Sequence, residues 1–215
     1  MRIDIVADLT CPWCYIGKRR LERALAMRPA LEVERVWRPF QLNPELAPAG
    51  VPRDLYLQLK FGGGRAAARM QAALTAAGLR EGIALAFDRI HRTPNTVNAH
   101  RLIRLAAAAD RSEPVVEALY RGYFVDGIDI GNLDALAAIA AACGLDRRLT
   151  RTMLAGDAGV TEVLAEEHRA RRTGIEAVPC FIIEGDYALA GAQDAEMFLP
   201  LFDLAAGPRE SAAAD

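Results

Sequence analysis

Two cysteines with two residues between them, CPWC at positions 11–14, follow directly on a short apolar segment at the start of the chain. The segment Arg2–Val6 alternates in polarity and is rich in β-branched residues, which predicts a strand. Pro12 suits the first turn of a helix, because the N–H that it lacks would have no helical partner there. The sequence therefore predicts that Cys11 lies where a strand passes into a helix N-terminus, with Thr10 as the capping residue.

This position has a chemical consequence for the first cysteine. Unpaired backbone N–H groups and the helix dipole favour negative charge at a helix N-terminus, and the thiolate is the nucleophilic form of cysteine. Cys14 lies about one helical turn further on, where it can attack a mixed disulfide formed at Cys11. We therefore predict thiol–disulfide exchange, in which Cys11 attacks and Cys14 resolves.

A zinc site and a structural disulfide are the alternative uses of such a pair. A structural zinc site needs about four ligands. Cys143 and Cys180 stand alone in the sequence, and the three histidines show no finger-like spacing, so we expect no metal. A structural disulfide is less favoured than exchange, because the pair closes a very short loop and no secretory signal precedes it.

Four separated segments resemble the DsbA-like branch of the thioredoxin superfamily, and within it the FrnE-type subgroup. The most specific is the first strand followed by CPWCYIGK at 11–18. The others are PNTVNAHRL at 94–102, GIEAVPCFII at 174–183 and AGAQ at 190–193. Together they span nearly the whole chain in the family's order. The resemblance implies an α/β thioredoxin fold with an inserted all-helical domain.

The resemblance also implies roles for individual residues. Cys11 is then the nucleophile and Cys14 the resolving thiol, and Pro179 is a cis-proline that faces them. With a cis bond before Pro179, the backbone of Val178 is placed to pair with an extended client or ligand beside the disulfide.

Two positions depart from the family's pattern: Trp13 in the motif, and Cys180 after the proline, where related chains often carry an aromatic or aliphatic residue. Trp13 stands where DsbA itself has histidine, so oxidation of DsbA strength is not implied. With Pro12, we expect Trp13 to form an apolar platform for substrate, a packed indole being the alternative. The related 2-hydroxychromene-2-carboxylate isomerases and kappa-class glutathione transferases usually carry serine at the position of Cys11. Cysteine there favours redox chemistry over glutathione-assisted isomerisation.

Further residues near these segments are candidates for ligand contact. Asn95, Asn98 and His100 lie at or near one helix start, with a cap for Asn95 and a packed imidazole for His100 as the alternatives. Cys180 follows the proline; we favour a small buried thiol there, the alternative being a third redox thiol that pairs with CPWC. For Asp8 we favour a turn or strand-end role over proton relay to the resolving cysteine.

Composition limits the partners and the compartment. The 215 residues are 52% hydrophobic and carry a net charge of −2, which gives no reason to expect nucleic acid or an anionic membrane. No run approaches the ~18 apolar residues of a membrane span. The chain starts with strand-like sequence and no signal peptide, so we expect a cytoplasmic enzyme. Its expected partners are protein clients or small thiols. We expect no cofactor besides the Cys11–Cys14 disulfide, with glutathione as a candidate co-substrate.

The order of predicted elements divides the chain. Residues 1–45 and 157–207 are predicted to form the two halves of the thioredoxin fold, residues 46–156 the helical insertion and residues 208–215 a flexible tail. The alternative functions are a glutathione-dependent isomerase or transferase, and a non-catalytic client-binding chaperone. The first predicts turnover that survives loss of Cys14, and the second predicts client holding without either cysteine.

Local patterns add three predictions. Residues 31–37 alternate apolar and charged side chains, which predicts the second strand. Arg65–Ala77 is alanine-rich and predicts a helix that Gly78 ends. Gly185-Asp186 predicts a tight turn between two strands.

Overall fold

A mixed β-sheet forms the centre of the computed structural model, which describes residues 1–207; the predicted tail, residues 208–215, lies outside the described residues. The strands are β1 (Arg2–Ala7), β2 (Glu34–Pro39), β3 (Val51–Pro52), β4 (Arg92–Thr93), β5 (Cys180–Ile183) and β6 (Tyr187–Ala190). The central sheet has the spatial order β2-β1-β5-β6. β1 and β2 are parallel, whereas β5 is antiparallel to both of its neighbours.

Helices cover both faces of this sheet and fill the middle of the sequence. They are α1 (Pro12–Ala26), α2 (Arg53–Phe61), α3 (Gly64–Arg80), α4 (Val97–Ala107), α5 (Ser112–Phe124), α6 (Leu133–Ala142), α7 (Arg147–Ala155), α8 (Val160–Arg172) and α9 (Leu199–Ala206). The order β1-α1-β2 and then α8-β5-β6-α9 is that of a thioredoxin fold, with α2 to α7 inserted between its halves. The predicted fold is confirmed.

A two-residue antiparallel ladder lies inside the insertion and was not predicted. It pairs Val51 with Thr93 and Pro52 with Arg92. A ladder this short leaves no periodic pattern in the sequence, and proline argues against a strand except at an edge. The insertion is therefore helical apart from this ladder.

One face of the central sheet packs against α1. Ile5 and Phe181 are opposite each other on β1 and β5, so their side chains lie on the same face. Phe181 reaches α1 at Gly17, where an added Cβ would lie 3.2 Å from the phenyl ring. Phe181 also packs edge-on against Phe198, with ring centroids 4.9 Å apart. This face carries the helix that begins with CPWC.

The opposite face packs against α8. Val6 and Ile182 line a cavity of about 200 Å³ together with Ala170 of α8. Side chains alternate along a strand, so Cys180, two residues before Ile182 and opposite Val6, points to this face. Cys180 and α1 therefore lie on different sides of the sheet.

Gly78 does not end α3, contrary to the prediction. The helix continues to Arg80, and Gly78 is buried within it. A Cβ at this position would lie 3.0 Å from the Ile83 carbonyl oxygen and from Leu85 Cδ1. Gly78 allows the following segment to pack closely against α3. It does not form a left-handed helix end.

The predicted hairpin between β5 and β6 is present, but its turn is one residue earlier than expected. The backbone N–H of Asp186 donates to the Ile183 carbonyl oxygen at 3.1 Å. The central residues Glu184 and Gly185 both have positive φ, 53° and 83°. This pair of left-handed residues is the geometry of a type I′ turn.

Candidate active site

Cys11 is the residue that immediately precedes α1. Its backbone is extended, with φ −91° and ψ 110°, and Pro12 is the first helical residue. Its carbonyl oxygen accepts a hydrogen bond from Cys14 N at 3.0 Å, which closes the first helical turn. Thr10 is not the cap, because α1 begins at Pro12 and the N-cap position is therefore Cys11. No side chain of the described residues caps α1, so the positive end of the helix is left to the Cys11 side chain.

The loop before β5 brings a backbone carbonyl to this sulfur. The Val178–Pro179 peptide bond is cis. Cys11 Sγ donates a hydrogen bond to the Val178 carbonyl oxygen at 3.6 Å. The loop lies against α1 at Gly17, where an added Cβ would come within 2.9 Å of Pro179 Cγ. A residue without a side chain at position 17 therefore lets the proline loop reach the helix.

The accessible part of the motif is its indole. Trp13 is 42% exposed, whereas Cys11 and Cys14 are 4% and 1% exposed. Pro12 is of intermediate burial. Trp13 is therefore the residue of the motif with the largest exposed fraction.

Cys14 is enclosed. Burial is the largest effect on its thiol and raises its pKa well above the ordinary value, and the neighbouring Cys11 raises it further. The backbone N–H of Asp8 acts in the opposite direction. All the cysteines of the sequence lie within residues 1–207, and each is a free thiol there. The site is thus described in its dithiol form.

Asp8 ties the segment before CPWC to the loop after β2. Its side chain is buried. One carboxylate oxygen accepts the backbone N–H of Thr10 at 3.1 Å, and the other accepts that of Leu42 at 2.7 Å. Each carboxylate oxygen therefore accepts a hydrogen bond from a backbone N–H. This is the turn role that the sequence favoured for Asp8.

Asn95 and Asn98 have partners within the fold. Asn95 Oδ1 accepts the backbone N–H of Val97 at 3.0 Å, and its Nδ2 donates to the Leu46 carbonyl oxygen at 2.8 Å. Asn98 Oδ1 accepts a hydrogen bond from Arg101 at 2.7 Å. Asn95 thus closes the turn before α4 and is not the helix cap, and the structure does not bring these two amides to the cysteines.

His100 is buried behind the site. Its Nε2 lies 3.1 Å from the Phe40 carbonyl oxygen. Because a carbonyl oxygen only accepts, this nitrogen carries the hydrogen. Burial is the main influence and lowers the pKa of His100, although the charge of Asp8 opposes it. In the structure, His100 is therefore a packed imidazole.

Cys180 is buried on the α8 side of the sheet, as described above. Burial raises the pKa of its thiol. It follows Pro179 in sequence, but the alternation of β5 turns its side chain away from α1 and Cys11. The geometry favours the small buried thiol over a third redox partner.

Sequence analysis did not find Tyr120, although it contacts the segment before CPWC and the helix that carries the motif. It is fully buried on α5, and its hydroxyl donates to the Asp8 carbonyl oxygen at 3.4 Å. Its ring stacks on Tyr15, with centroids 5.1 Å apart. The apolar pattern of α5 indicates a buried position there, but gives no sign of a partner more than 100 residues away.

A charged cluster fixes α5 to the helix that carries CPWC. Glu117 of α5 accepts hydrogen bonds from Tyr15 at 2.8 Å and from Lys18 at 2.7 Å. Arg19 also pairs with Glu117, and Lys18 pairs with Glu22 one turn further along α1. Burial opposes ionisation of Glu117, but these donors, led by Lys18, outweigh it and lower the pKa of its carboxyl.

Glu117→Gln is expected to make the free energy of unfolding less dependent on pH in the acid range. A carboxyl whose pKa is lower in the folded state stabilises the protein above its unfolded pKa of about 4.3, and this contribution is lost as the pH falls through the lower folded value. We expect the variant to lose about 1 kcal/mol at pH 7 and less at about pH 3.5. Urea unfolding at both pH values measures this.

Asp203→Asn is the matched control for Glu117→Gln. Its carboxyl also has a pKa lowered by an arginine, Arg28, but its side chain is 61% exposed. Solvent screens such a pair, so we expect the same stability profile as the wild type. An equal loss of stability in Glu117→Gln at both pH values would contradict the assigned role of the carboxylate charge.

Residues 1–207 contain no group of three or more His, Cys, Asp or Glu side chains arranged to hold a metal ion. Within the same residues, no helix has the length and apolar character needed to cross a membrane.

Comparisons with known proteins find relatives that are similar in sequence and in fold. The family described as DSBA-like thioredoxin domain matches residues 2–202. A solved structure, described as a probable DsbA oxidoreductase from Streptomyces coelicolor, is 36% identical and superposes with a TM-score of 0.88. That alignment covers 97% of this chain and 91% of the other.

Two further relatives are more distant. YwbO of Bacillus subtilis, an uncharacterized protein, is 25% identical over 203 residues, which are 92% of this chain and 94% of that protein. A solved 2-hydroxychromene-2-carboxylate isomerase is 18% identical with a TM-score of 0.70, covering 95% of this chain and 94% of the other. This last likeness concerns the fold alone.

Proposed function

Because the chain belongs to the DSBA-like thioredoxin domain family, we propose that it is a thiol–disulfide oxidoreductase with Cys11 and Cys14 as its redox pair. The observation that carries the proposal is the position of the Cys11 sulfur. It stands at the N-terminus of α1, 3.6 Å from the Val178 carbonyl oxygen, and belongs to the residue two positions before the exposed Trp13. A helix N-terminus favours the thiolate that exchange requires.

The reaction has two steps. The Cys11 thiolate attacks one sulfur of a client disulfide; a Cys11–client disulfide forms, and the other client sulfur leaves as a thiolate. Cys14 then attacks the Cys11 sulfur and releases the second client thiolate. The client is reduced by two electrons, and the protein keeps a Cys11–Cys14 disulfide. Two cellular thiol groups, which are themselves oxidised to a disulfide, return the pair to the dithiol form.

The same residues catalyse the reverse reaction. Direction depends on the reduction potential of the Cys11–Cys14 pair relative to its compartment, and about 30 mV corresponds to about 1.4 kcal/mol for this two-electron couple. A cytoplasmic location, expected from the sequence, stays a prediction.

The clients are disulfide- or thiol-bearing proteins and small thiols, with glutathione as a candidate co-substrate. The backbone of Val178 offers an extended client segment a hydrogen-bonding edge beside the reacting sulfur. Trp13 offers apolar area at the same place, since its indole is 42% exposed. Recognition through backbone and apolar area suits many client sequences.

Reduction of insulin disulfides tests the proposal. With dithiothreitol as the final reductant, the wild-type protein is expected to shorten the delay before insulin precipitates. Cys143→Ser is the matched control, because Cys143 is a half-buried thiol at the end of α6, away from the site, and it should behave like the wild type. A wild-type trace equal to dithiothreitol alone would contradict the proposed activity.

A further inference from the structure

The turn that follows β6, AGAQ at 190–193, lies against the proline loop. The backbone N–H of Gly191 donates to the Pro179 carbonyl oxygen at 2.7 Å. Pro179 directly follows Val178, whose carbonyl oxygen lies 3.6 Å from Cys11 Sγ. The position of this turn therefore bears on the backbone edge beside the reacting sulfur.

Arg20 of α1 connects this turn to the helix that carries CPWC. Its Nη1 donates to the Ala192 carbonyl oxygen at 2.6 Å, and the same nitrogen lies 3.1 Å from Asp194 Oδ1. Arg20 is only 9% exposed, although arginine is rarely buried unless it is paired. A guanidinium presents its donors in a rigid fork, so contacts with two segments fix those segments relative to each other.

Three contacts join α1, the proline loop and the turn. Gly17 of α1 lies against the loop, since an added Cβ would come within 2.9 Å of Pro179 Cγ. The loop is bound to the turn through Gly191, as described above. The turn is bound to α1 through Ala192 and Arg20, which lies three residues after Gly17 and thus on the same side of the helix. Of the two hydrogen bonds, only the one from Arg20 depends on a side chain.

The helical insertion supplies a further partner for Arg20. Glu81 directly follows α3, and its side chain is 5% exposed. Its Oε1 accepts a hydrogen bond from Arg20 Nε at 2.9 Å, and its Oε2 pairs with Arg23 of α1. Loss of one partner from a buried ion pair is costly, which favours the paired geometry. The insertion therefore orients the guanidinium that reaches the turn.

We propose that Arg20 is a positioning residue for client binding: together with Glu81 it fixes the turn at Ala192, and the turn keeps the backbone of Val178 in place beside Cys11. This inference rests on the proposed function. The hydrogen-bond and ion-pair partners of Arg20 in the described part of the chain lie outside CPWC. Arg20 therefore acts on the binding of an extended client, and the attack by the Cys11 thiolate does not depend on it.

Two substrates separate client binding from sulfur chemistry. The first is a disulfide between two extended peptides that carry a fluorophore and a quencher, and it can pair with the backbone of Val178. Its reduction, with dithiothreitol as the final reductant, restores fluorescence and gives KM and kcat. The second is dithionitrobenzoate, an aryl disulfide without a peptide backbone, from which attack by Cys11 releases a coloured thiolate.

The variant Arg20→Met is compared with its parent, Cys143→Ser, which lacks the half-buried thiol outside the site. We expect KM for the peptide disulfide to rise about tenfold, because a backbone hydrogen bond to the client is lost. We expect kcat to stay within about twofold of the parent value, as does any change that removes binding equally from the ground state and the transition state. The rate of attack on dithionitrobenzoate should be unchanged, whereas damage to the sulfur site would slow both reactions.

Arg23→Met is the matched control. Arg23 lies on the same helix and also binds Glu81, but it is half-exposed, and no hydrogen bond within residues 1–207 joins it to the turn. Both substrates should react as they do with the parent. Arg20→Lys is the second variant, needed if Arg20→Met does not fold. It keeps a charge for Glu81 but loses the fork that also reaches Ala192, so it should raise KM in the same direction.

Three results would overturn the proposals, and they are distinguishable. A parental KM for the peptide disulfide in both Arg20 variants would contradict the positioning role. An equal rise of KM in Arg23→Met would assign the effect to the charge of α1 and not to the turn. No release of coloured thiolate by the parent protein would contradict the proposed function itself.

Discussion

Cys11→Ser is expected to abolish the acceleration of insulin reduction, a loss of at least about 100-fold, because a serine hydroxyl neither ionises near neutral pH nor forms a disulfide. Cys14→Ser is expected to stop the reaction after its first step, since Cys11 still attacks but nothing within the protein releases the client. The first variant should form no adduct, and the second should accumulate a Cys11–client disulfide. Mass spectrometry of acid-quenched, non-reduced samples measures both.

The pair of variants also discriminates between the alternative functions. A glutathione-dependent isomerase or transferase would keep its turnover in Cys14→Ser, and a binding module would hold clients equally well without both cysteines. Insulin reduction that persists in Cys11→Ser would contradict the assignment of the nucleophile. Cys143→Ser, with the same chemical change outside the site, controls for the loss of a thiol as such.

Arg101→Met is expected to lower the free energy of unfolding by about 3–5 kcal/mol. Arg101 lies on α4 and is 3% exposed. Its guanidinium donates to backbone carbonyl oxygens at the C-terminal end of α7 and just beyond it, those of Met153, Leu154, Gly156 and Ala158, at 2.6–3.1 Å. The last carbonyls of a helix have no partner within the helix. Methionine would keep much of the stem volume and remove all four hydrogen bonds, including the buried one to the Leu154 carbonyl oxygen.

Arg104→Met provides the comparison on the same helix. Arg104 is half-exposed and pairs with Glu166, and an exposed ion pair contributes about 0–1 kcal/mol. Urea unfolding of both variants measures the difference. A loss in Arg101→Met no larger than that in Arg104→Met would contradict the capping role, whereas Arg101→Lys, which keeps the charge but loses the forked donors, should fall between wild type and Arg101→Met.

The local part of the site was predictable from the sequence. Alternation over β1 and the preference of proline for a first helical turn place Cys11 at a helix N-terminus, and the structure has it there. Thr10 was assigned as the cap because it has a capping side chain. Sequence preference does not fix a helix start to one residue, and here the helix begins after Cys11 itself.

Contacts between distant segments were not predictable in the same way. Arg101 has the sequence context of any helix arginine, and only the packing of α7 against α4 turns it into a buried cap. Tyr120 has the pattern of a core residue, but the distance along the chain to Asp8 and Tyr15 hides its contacts with them. Gly78 was taken for a helix end because glycine favours left-handed backbone, whereas the contact with Ile83 and Leu85 required its small size. In each case the role of the residue depends on the segment that it contacts. The periodicity of one helix does not show which segment that is.

Because Cys11 and Val178 are far apart in the sequence, the ribosome makes the two sides of this site at different times. The two residues are 167 positions apart in the chain. At about 5–20 residues per second, Val178 is synthesised roughly 8–30 seconds after Cys11. β5 follows at once and must pair antiparallel with β1 to complete the central sheet. Throughout that interval the nascent chain bears a Cys-x-x-Cys pair without its facing loop, so the two cysteines are made well before the site that positions them.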